Sequence, residues 1–255
     1  MSKENTETNS SFGYKKVDPQ DKQKMVDDVF DKVHENYDLM NDILSLGLHR
    51  LWKRVAVNGA KIRSNFKVLD LAGGTGDLTT LISKKINDKG LMLLSDINMN
   101  MLIKGKNNLI DKGVLNFSAI QLDAHSLPFY ESSFDLITIA FGLRNITDKE
   151  KALSSILYCL KPGGNFIILE FSKPKNEMIR EIYDIYSFEI MPKIGEIIAK
   201  DGDSYKYLAE SIRMYPPPEE MKELMKKIGF VRCKYEYLTQ GIVSIHSGSK
   251  PTKVL

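Results

Sequence analysis

The stretch Val68–Thr79, VLDLAGGTGDLT, leaves an apolar run on an acid, crosses three glycines and returns to a helix-compatible pattern. Glycine at such a junction permits positive φ and lets a ligand reach the backbone without meeting a Cβ. A buried strand feeding a helix through a glycine turn points to an open parallel sheet. In that architecture ligands bind beyond the carboxyl ends of the strands, where the strand order reverses.

The rest of the chain fits this frame. Short apolar runs at Lys67–Leu71, Leu91–Ser95, Asn116–Leu122, Phe134–Phe141, Asn165–Phe171, Phe230–Leu238 and Gly241–Ser247 alternate with helical patterns. The helices fall near Leu78–Ile86, Met99–Lys112, Asp148–Leu160, Met178–Ile198 and Pro218–Ile228. This alternation predicts βαβ crossovers and a doubly wound, Rossmann-like α/β fold, mostly parallel and covered by helices on both faces. The last two runs, joined across Thr239–Gly241, read as a hairpin that makes one strand antiparallel. Upstream, Met25, Val26, Val29, Phe30 and Val33 fall at helical spacings. NYDLMNDILSLGLHRLWK continues them past a break at Gly47, so residues 17–59 read as helices.

Composition narrows the class. A chain of 255 residues suits one α/β domain with embellishments. Net charge is +3 with no dense Arg/Lys block, which argues against a nucleic-acid partner. Cys159 and Cys233 stand apart in regular segments, so buried thiols are expected in place of a disulfide or a metal site. No apolar run approaches the roughly 20 residues that span a bilayer. The polar start, MSKENTETNSS, is unlike a secretory signal. A disordered N-terminus over residues 1–11 and a cytoplasmic location are the expectation.

Two cofactors compete for the glycine loop. A dinucleotide asks for G-x-G-x-x-G, and Gly74–Thr75–Gly76 supplies the first pair, but Thr79 stands at the third position. No Gly-Lys-Ser/Thr follows, so the loop is not a P-loop. Asp70 precedes the glycines and Asp77 follows them. Two carboxylates would repel a pyrophosphate and favour a sulfonium and an amino group. Asp96 ends the second strand where an acid takes ribose hydroxyls, and Asp123–Ala124 follows the third, within reach of an adenine amino group. Pattern and charge favour S-adenosylmethionine over NAD.

In chain order, VLDLAGGTGDLT, LLSDIN, LDAHSLPF, SSFDLITIAFGLRNITD and LKPGG resemble the motif series of class I S-adenosylmethionine-dependent methyltransferases. FGYKKV (Phe12–Val17), NYDLMNDILSLGLHRLWK (Asn36–Lys53), FGLRNITDKEKAL (Phe141–Leu153), LEFSKP (Leu169–Pro174) and YLAESIRMYP (Tyr207–Pro216) narrow the likeness. They resemble the ubiquinone/menaquinone biosynthesis C-methyltransferase family, from about Phe12 to Lys250. That resemblance implies a seven-stranded class I domain over residues 12–255. Within it, residues 12–60 would form an N-terminal helical cap and residues 175–217 a substrate-covering insertion. It implies methylation of a ring carbon of a polyprenylated quinol, either demethylmenaquinol or a 2-methoxy-6-polyprenyl-1,4-benzoquinol. Cofactor contacts would fall on the loop (Gly74, Thr75, Gly76) and on Asp70, Asp96, Asp123 and Ala124. Ala140 occupies a position where the family usually has serine.

Carbon methylation needs a phenolate-stabilising group or a base, because a phenol has pKa about 10. FGLRN sets Arg144 and Asn145 at the end of the fourth strand. Arg144 cannot readily act as a bare base, so electrostatic stabilisation is its expected role, with water-mediated base work as an addition and an ion pair to Asp148 the structural alternative. Tyr37 would bond a quinol oxygen, oriented by Asp38 and Asn41–Asp42. His49 and His125 are alternative bases, and Arg213 would pair with Glu210 or meet substrate. The helix Ile179–Ala199 is apolar around most of its circumference, as expected of core, a dimer interface or the wall of a tail groove. Transient contact with the inner face of the membrane, and a homodimer or quinone-synthesis complex, are the partners it suggests. A methyltransferase for another small acceptor, a non-catalytic scaffold subunit and, more distantly, a nicotinamide oxidoreductase are the competing readings.

Overall fold

A computed structural model describes residues 10–252. Residues 1–9, expected to be disordered, lie outside the described residues, as do 253–255. Ser10 and Ser11, placed with that terminus in the sequence reading, belong instead to a small hairpin of β1 (Ser10–Phe12) and β2 (Lys15–Val17). Three-residue strands with exposed lysines carry too little alternation to be read from sequence. Phe12 stacks on Tyr207 with ring centroids 4.1 Å apart, which ties the hairpin to the body.

Helices α1 (Pro19–Val33), α2 (Tyr37–Ser45) and α3 (Leu48–Gly59) follow. Pro19 starts α1 where its missing N–H costs nothing, and Asp18 caps it through the Gln20 N–H. The sheet strands are β3 (Lys67–Asp70), β4 (Leu91–Asp96), β5 (Ser118–Gln121), β6 (Phe134–Ala140), β7 (Leu160–Phe171), β8 (Val231–Leu238) and β9 (Val243–Ser249). Their order is β5-β4-β3-β6-β7-β9-β8, parallel except for β9, which runs antiparallel to both neighbours. The expected seven-stranded doubly wound sheet with its terminal hairpin is present. Strand order reverses between β3 and β6, and the glycine loop leaves β3 at that point.

The helices among these strands are α4 (Asp77–Ser83), α5 (Met99–Asp111), α6 (Lys149–Cys159), α7 (Glu177–Ile185), α8 (Met191–Ala199), α9 (Gly202–Met214) and α10 (Pro218–Ile228). Both sheet faces are covered, which is why the central strands read as unbroken apolar runs. On one face Leu153 and Ile156 of α6 and Met221 and Met225 of α10 pack over Leu69, Ile137 and Phe166. On the other, Trp52, Ala56 and Val57 of α3 and Ile82 of α4 pack over Val68, Leu136 and Leu169. So α3, unlike α1 and α2, also belongs to the sheet-covering layer.

The single helix expected near Met178–Ile198 is divided by a π-helical turn at Tyr186–Ile190. Pro192 explains it. The ring offers no N–H to the Phe188 carbonyl and crowds it, so the coil widens and the Met191 N–H reaches back to Tyr186 O. Core packing fails for much of this helix: Ile182, Ile185 and Ile197 are 62%, 58% and 80% exposed. Among the described residues no helix is long and apolar enough to cross a membrane.

Gly105, inside α5, lets this helix approach the glycine loop. A Cβ built there would stand 2.2 Å from the Gly74 carbonyl oxygen. Helix propensity alone favours alanine over glycine by about 1 kcal/mol. The backbone clash outweighs that gain, so Gly105→Ala should lower the melting temperature and weaken donor binding measured by calorimetry.

Candidate active site

The loop after β3 turns with Ala72, Gly74 and Gly76 at φ of 52°, 53° and 81°. Gly73 has no space for a side chain, since a Cβ would lie 2.5 Å from Leu94 Cδ1. Gly76 faces α5, where a Cβ would lie 3.2 Å from the Gly105 carbonyl oxygen. It serves helix packing and does not line the cavity, contrary to its expected ligand contact.

Both carboxylates invoked for a cationic ligand are already committed. Asp70 is fully buried, with its oxygens accepting from the Thr79 hydroxyl at 2.7 Å and the Thr138 hydroxyl at 2.8 Å. Burial pushes its carboxyl above the ordinary range. Thr79, which spoiled the dinucleotide pattern, therefore holds the loop acid in place. Asp77 accepts from Lys53 Nζ at 2.9 Å and Lys112 Nζ at 3.3 Å. Burial opposes its ionisation, but the two lysines outweigh burial and hold it at about 2.

Beyond the loop lies a cavity of about 90 Å³. Gly74, Thr75, Asp96, Asp123, Ala124 and Ala140 line it, as expected. Asp96 Oδ2 accepts from the Gly74 N–H and Oδ1 from the Asn98 N–H, each at 2.9 Å. A carboxylate has about four acceptor positions, so capacity remains for a ligand hydroxyl. Burial raises its pKa to about 6. Asp123 Oδ1 lies 2.6 Å from His125 Nδ1, while His125 Nε2 accepts from the Asp148 N–H at 3.2 Å. His125 is thus a brace between Asp123 and α6, and it faces this cavity, away from where a base would act. Two straps close the site from above: Asp31 accepts from Asn98 and Asn100, and Asp38 from Thr75 and Asn108.

A second chamber, of about 270 Å³, abuts the first, and Phe30, Tyr37, Lys53 and Phe141 line both. Its walls are aromatic, with Trp52, Tyr183, Tyr186, Tyr205 and Tyr207 among them, and its mouth includes Leu46 and Leu48. Arg144 lines this chamber and is buried. Its Nη1 donates to Glu170 Oε1 at 3.0 Å and to the Phe141 carbonyl, and its backbone N–H donates to Glu170 Oε2 at 3.2 Å. Burial works against the guanidinium charge, and Glu170 more than offsets it. Among the described residues the buried Nε–H has no partner. Asp148, the alternative partner for Arg144, instead caps α6 through the Lys151 N–H.

Asn145 faces the donor cavity and accepts from the Tyr207 hydroxyl at 3.0 Å. Burial raises that phenol to about 12. Asp38 and Asp42 do not orient Tyr37, being bonded to Thr75 and Arg50. Arg213 pairs with Asp184, and Glu210 accepts from the Tyr14 backbone N–H. Glu170, Tyr207 and Lys53 were missed in the sequence. Glu170 left a signal there, as the one acid in the apolar run of β7.

The ubiE/COQ5 methyltransferase family matches the chain over residues 17–250. The chain belongs to that family. The ubiquinone/menaquinone biosynthesis C-methyltransferase UbiE of Methylococcus capsulatus is 52% identical over 246 residues, spanning 96% of this chain and 99% of the relative. That of Shewanella piezotolerans is 51% identical over 248 residues, spanning 97% and 99%. Solved structures share the fold at low identity. A putative methyltransferase of Haloferax volcanii, in complex with its Trm112 activator, has a TM-score of 0.64 at 15% identity, covering 87% of this chain and 97% of its own. An S-adenosylmethionine-dependent methyltransferase of Thermotoga maritima gives 0.61 at 17%, covering 87% and 98%.

As a member of the ubiE/COQ5 family the chain is a methyltransferase, with S-adenosylmethionine as donor. The site fits that donor: a side-chain-free turn lets it approach the backbone, and Asp96 keeps acceptor capacity for ribose hydroxyls. With ribose hydroxyls expected to donate to the charged carboxylate, affinity should be present above the Asp96 pKa and lost as pH falls through it. The dissociation constant for S-adenosylhomocysteine should be flat above pH 7 and rise below pH about 6, by up to about tenfold per pH unit. Calorimetry on Asp96→Asn should show weaker binding with that dependence removed.

Proposed function

We propose that this methyltransferase alkylates a ring carbon of a polyprenylated quinol, demethylmenaquinol or 2-methoxy-6-polyprenyl-1,4-benzoquinol or both. The observation that carries this reading is the aromatic chamber that abuts the donor cavity and holds a buried arginine with a free N–H. A flat ring suits tyrosine walls, and the hydroxyls can bond to Arg144 Nε and Tyr37. Bound in the adjoining cavity, the donor supplies an electrophilic methyl group. Arg144 stabilises the phenolate that makes the ring carbon nucleophilic, and Glu170 holds the guanidinium in register. Asn145, fixed by Tyr207, lines the donor side of the boundary. The chamber walls keep water from the reacting atoms.

In this reading residues 12–255 form one catalytic domain. Residues 12–60 cap the donor, and residues 175–217 cover the acceptor. The tail leaves past Leu46 and Leu48 toward a bilayer that the protein touches from the cytoplasmic side. Exposed Ile182, Ile185 and Ile197 supply the apolar surface for that contact.

Incubation with methyl-labelled S-adenosylmethionine and short-chain forms of both quinols should place label on a ring carbon, read by mass spectrometry. Arg144→Ala should lower turnover at least about tenfold with donor affinity nearly unchanged; equal kinetics would remove Arg144 from catalysis. The double variant Ile182→Glu with Ile197→Glu should lose flotation with lipid vesicles and still methylate short-chain quinol.

A further inference from the structure

We propose that His49 is the base that removes the ring proton after methyl transfer, a role that rests on the quinol reading above. His49 stands on the first turn of α3, is buried and lines the acceptor chamber. Its neighbours decide its tautomer. The Ser45 hydroxyl donates its one proton to the Asn41 carbonyl at 2.6 Å, which leaves its lone pairs to accept. They receive the His49 backbone N–H at 3.3 Å and face Nδ1 at 2.8 Å. Nδ1 therefore carries the proton, and Nε2 keeps its lone pair.

The groups facing His49 suit a base. Asp42 Oδ1 on α2 lies 3.7 Å from Nε2, and Asp77 Oδ2 on α4 lies 3.9 Å away. Lys53 and Arg50 on α3 supply the opposing charge. Burial first, and Lys53 second, hold the imidazole below its ordinary range, so it is neutral and able to accept a proton. Once protonated, it has two carboxylates to stabilise it. Arg144 cannot itself fill this role, because a guanidinium has no lone pair with which to take a proton.

The step balances. The ring carbon bonds to the methyl group as the sulfur–methyl bond breaks and the sulfur keeps that electron pair. The phenolate has then become a dienone with one tetrahedral carbon. Its C–H bond breaks toward Nε2, an N–H bond forms, and the C–H electron pair restores the aromatic phenolate. Asp42, partly exposed and paired with the more exposed Arg50, passes the proton to solvent.

The test compares the wild-type protein with His49→Gln on quinol carrying deuterium at the acceptor carbon. In the wild type methyl transfer limits the rate, and deuterium should leave it unchanged. In His49→Gln turnover should fall about 10²-fold and a deuterium effect of about twofold or more should appear, as proton removal becomes limiting. Affinity for S-adenosylhomocysteine should stay as it was. Nitrogen-15 imidazole spectra of the wild type should show the Nδ1-protonated tautomer. Asp42→Asn, which deprives the imidazolium of a carboxylate, should move the acid limb of the kcat/KM profile to lower pH. An Nε2-protonated tautomer, a His49→Gln protein with undiminished turnover, or lost turnover without a deuterium effect would overturn the assignment. Failure of the wild type to label either quinol would defeat the quinol reading instead, and the base assignment with it.

Discussion

One buried carboxylate governs the shape of this molecule. Asp70 joins three elements: its own strand β3, the first helical turn after the glycines through Thr79, and the neighbouring strand through Thr138. The loop between them contains residues at left-handed φ, which left alone would sample many conformations. Stripping either hydroxyl would leave a buried acceptor unsatisfied, at about 1–3 kcal/mol, and the loop would lose one of its two anchors. The positions of Gly74 and of the Asp96 carboxylate it donates to follow from that anchoring.

Charge at the site is distributed differently from its count in the sequence. Asp77 is neutralised by lysines from α3 and α5, and Asp70 is turned inward to hydroxyls. The acids left to face a cationic donor are Asp96, Asp123 and Asp27, which lie along the cavity wall. In the acceptor chamber the pattern repeats with opposite sign, since Glu170 balances Arg144. The charges not needed for a ligand are therefore paired or turned inward, while a few acids stay free on the donor side. That arrangement limits the desolvation penalty of folding charged groups into a dry interior.

Much of this was legible in sequence because it is local. The glycine loop, the acid ending β4 and the FGLRN turn are short patterns whose geometry follows from their own residues. The alternation of strands with helices and the terminal hairpin followed from the spacing of apolar runs. What was not legible depends on partners far apart in the chain. The structural alternative for Arg144 was Asp148, four residues on, but the guanidinium meets Glu170 on β7; Arg213, with Glu210 or substrate as candidates, meets Asp184 on another helix. Thr79 read as a failed glycine because Thr138, which shares its carboxylate, lies on a different strand. Helical periodicity over Met178–Ile198 concealed the widened turn, since Pro192 disturbs hydrogen bonds without disturbing the apolar pattern.

Helix α2 belongs to both compartments. Its Asp38 grips Thr75 and Asn108 on the donor side, while its Tyr37, Met40 and Leu44 wall the acceptor side. A rigid rod nine residues long cannot loosen at one bond row and stay fixed at the other. Any binding free energy that ordering α2 costs is therefore common to both compartments, and reciprocal between them. Whatever order one ligand imposes on α2 is thereby felt on the wall of the other compartment.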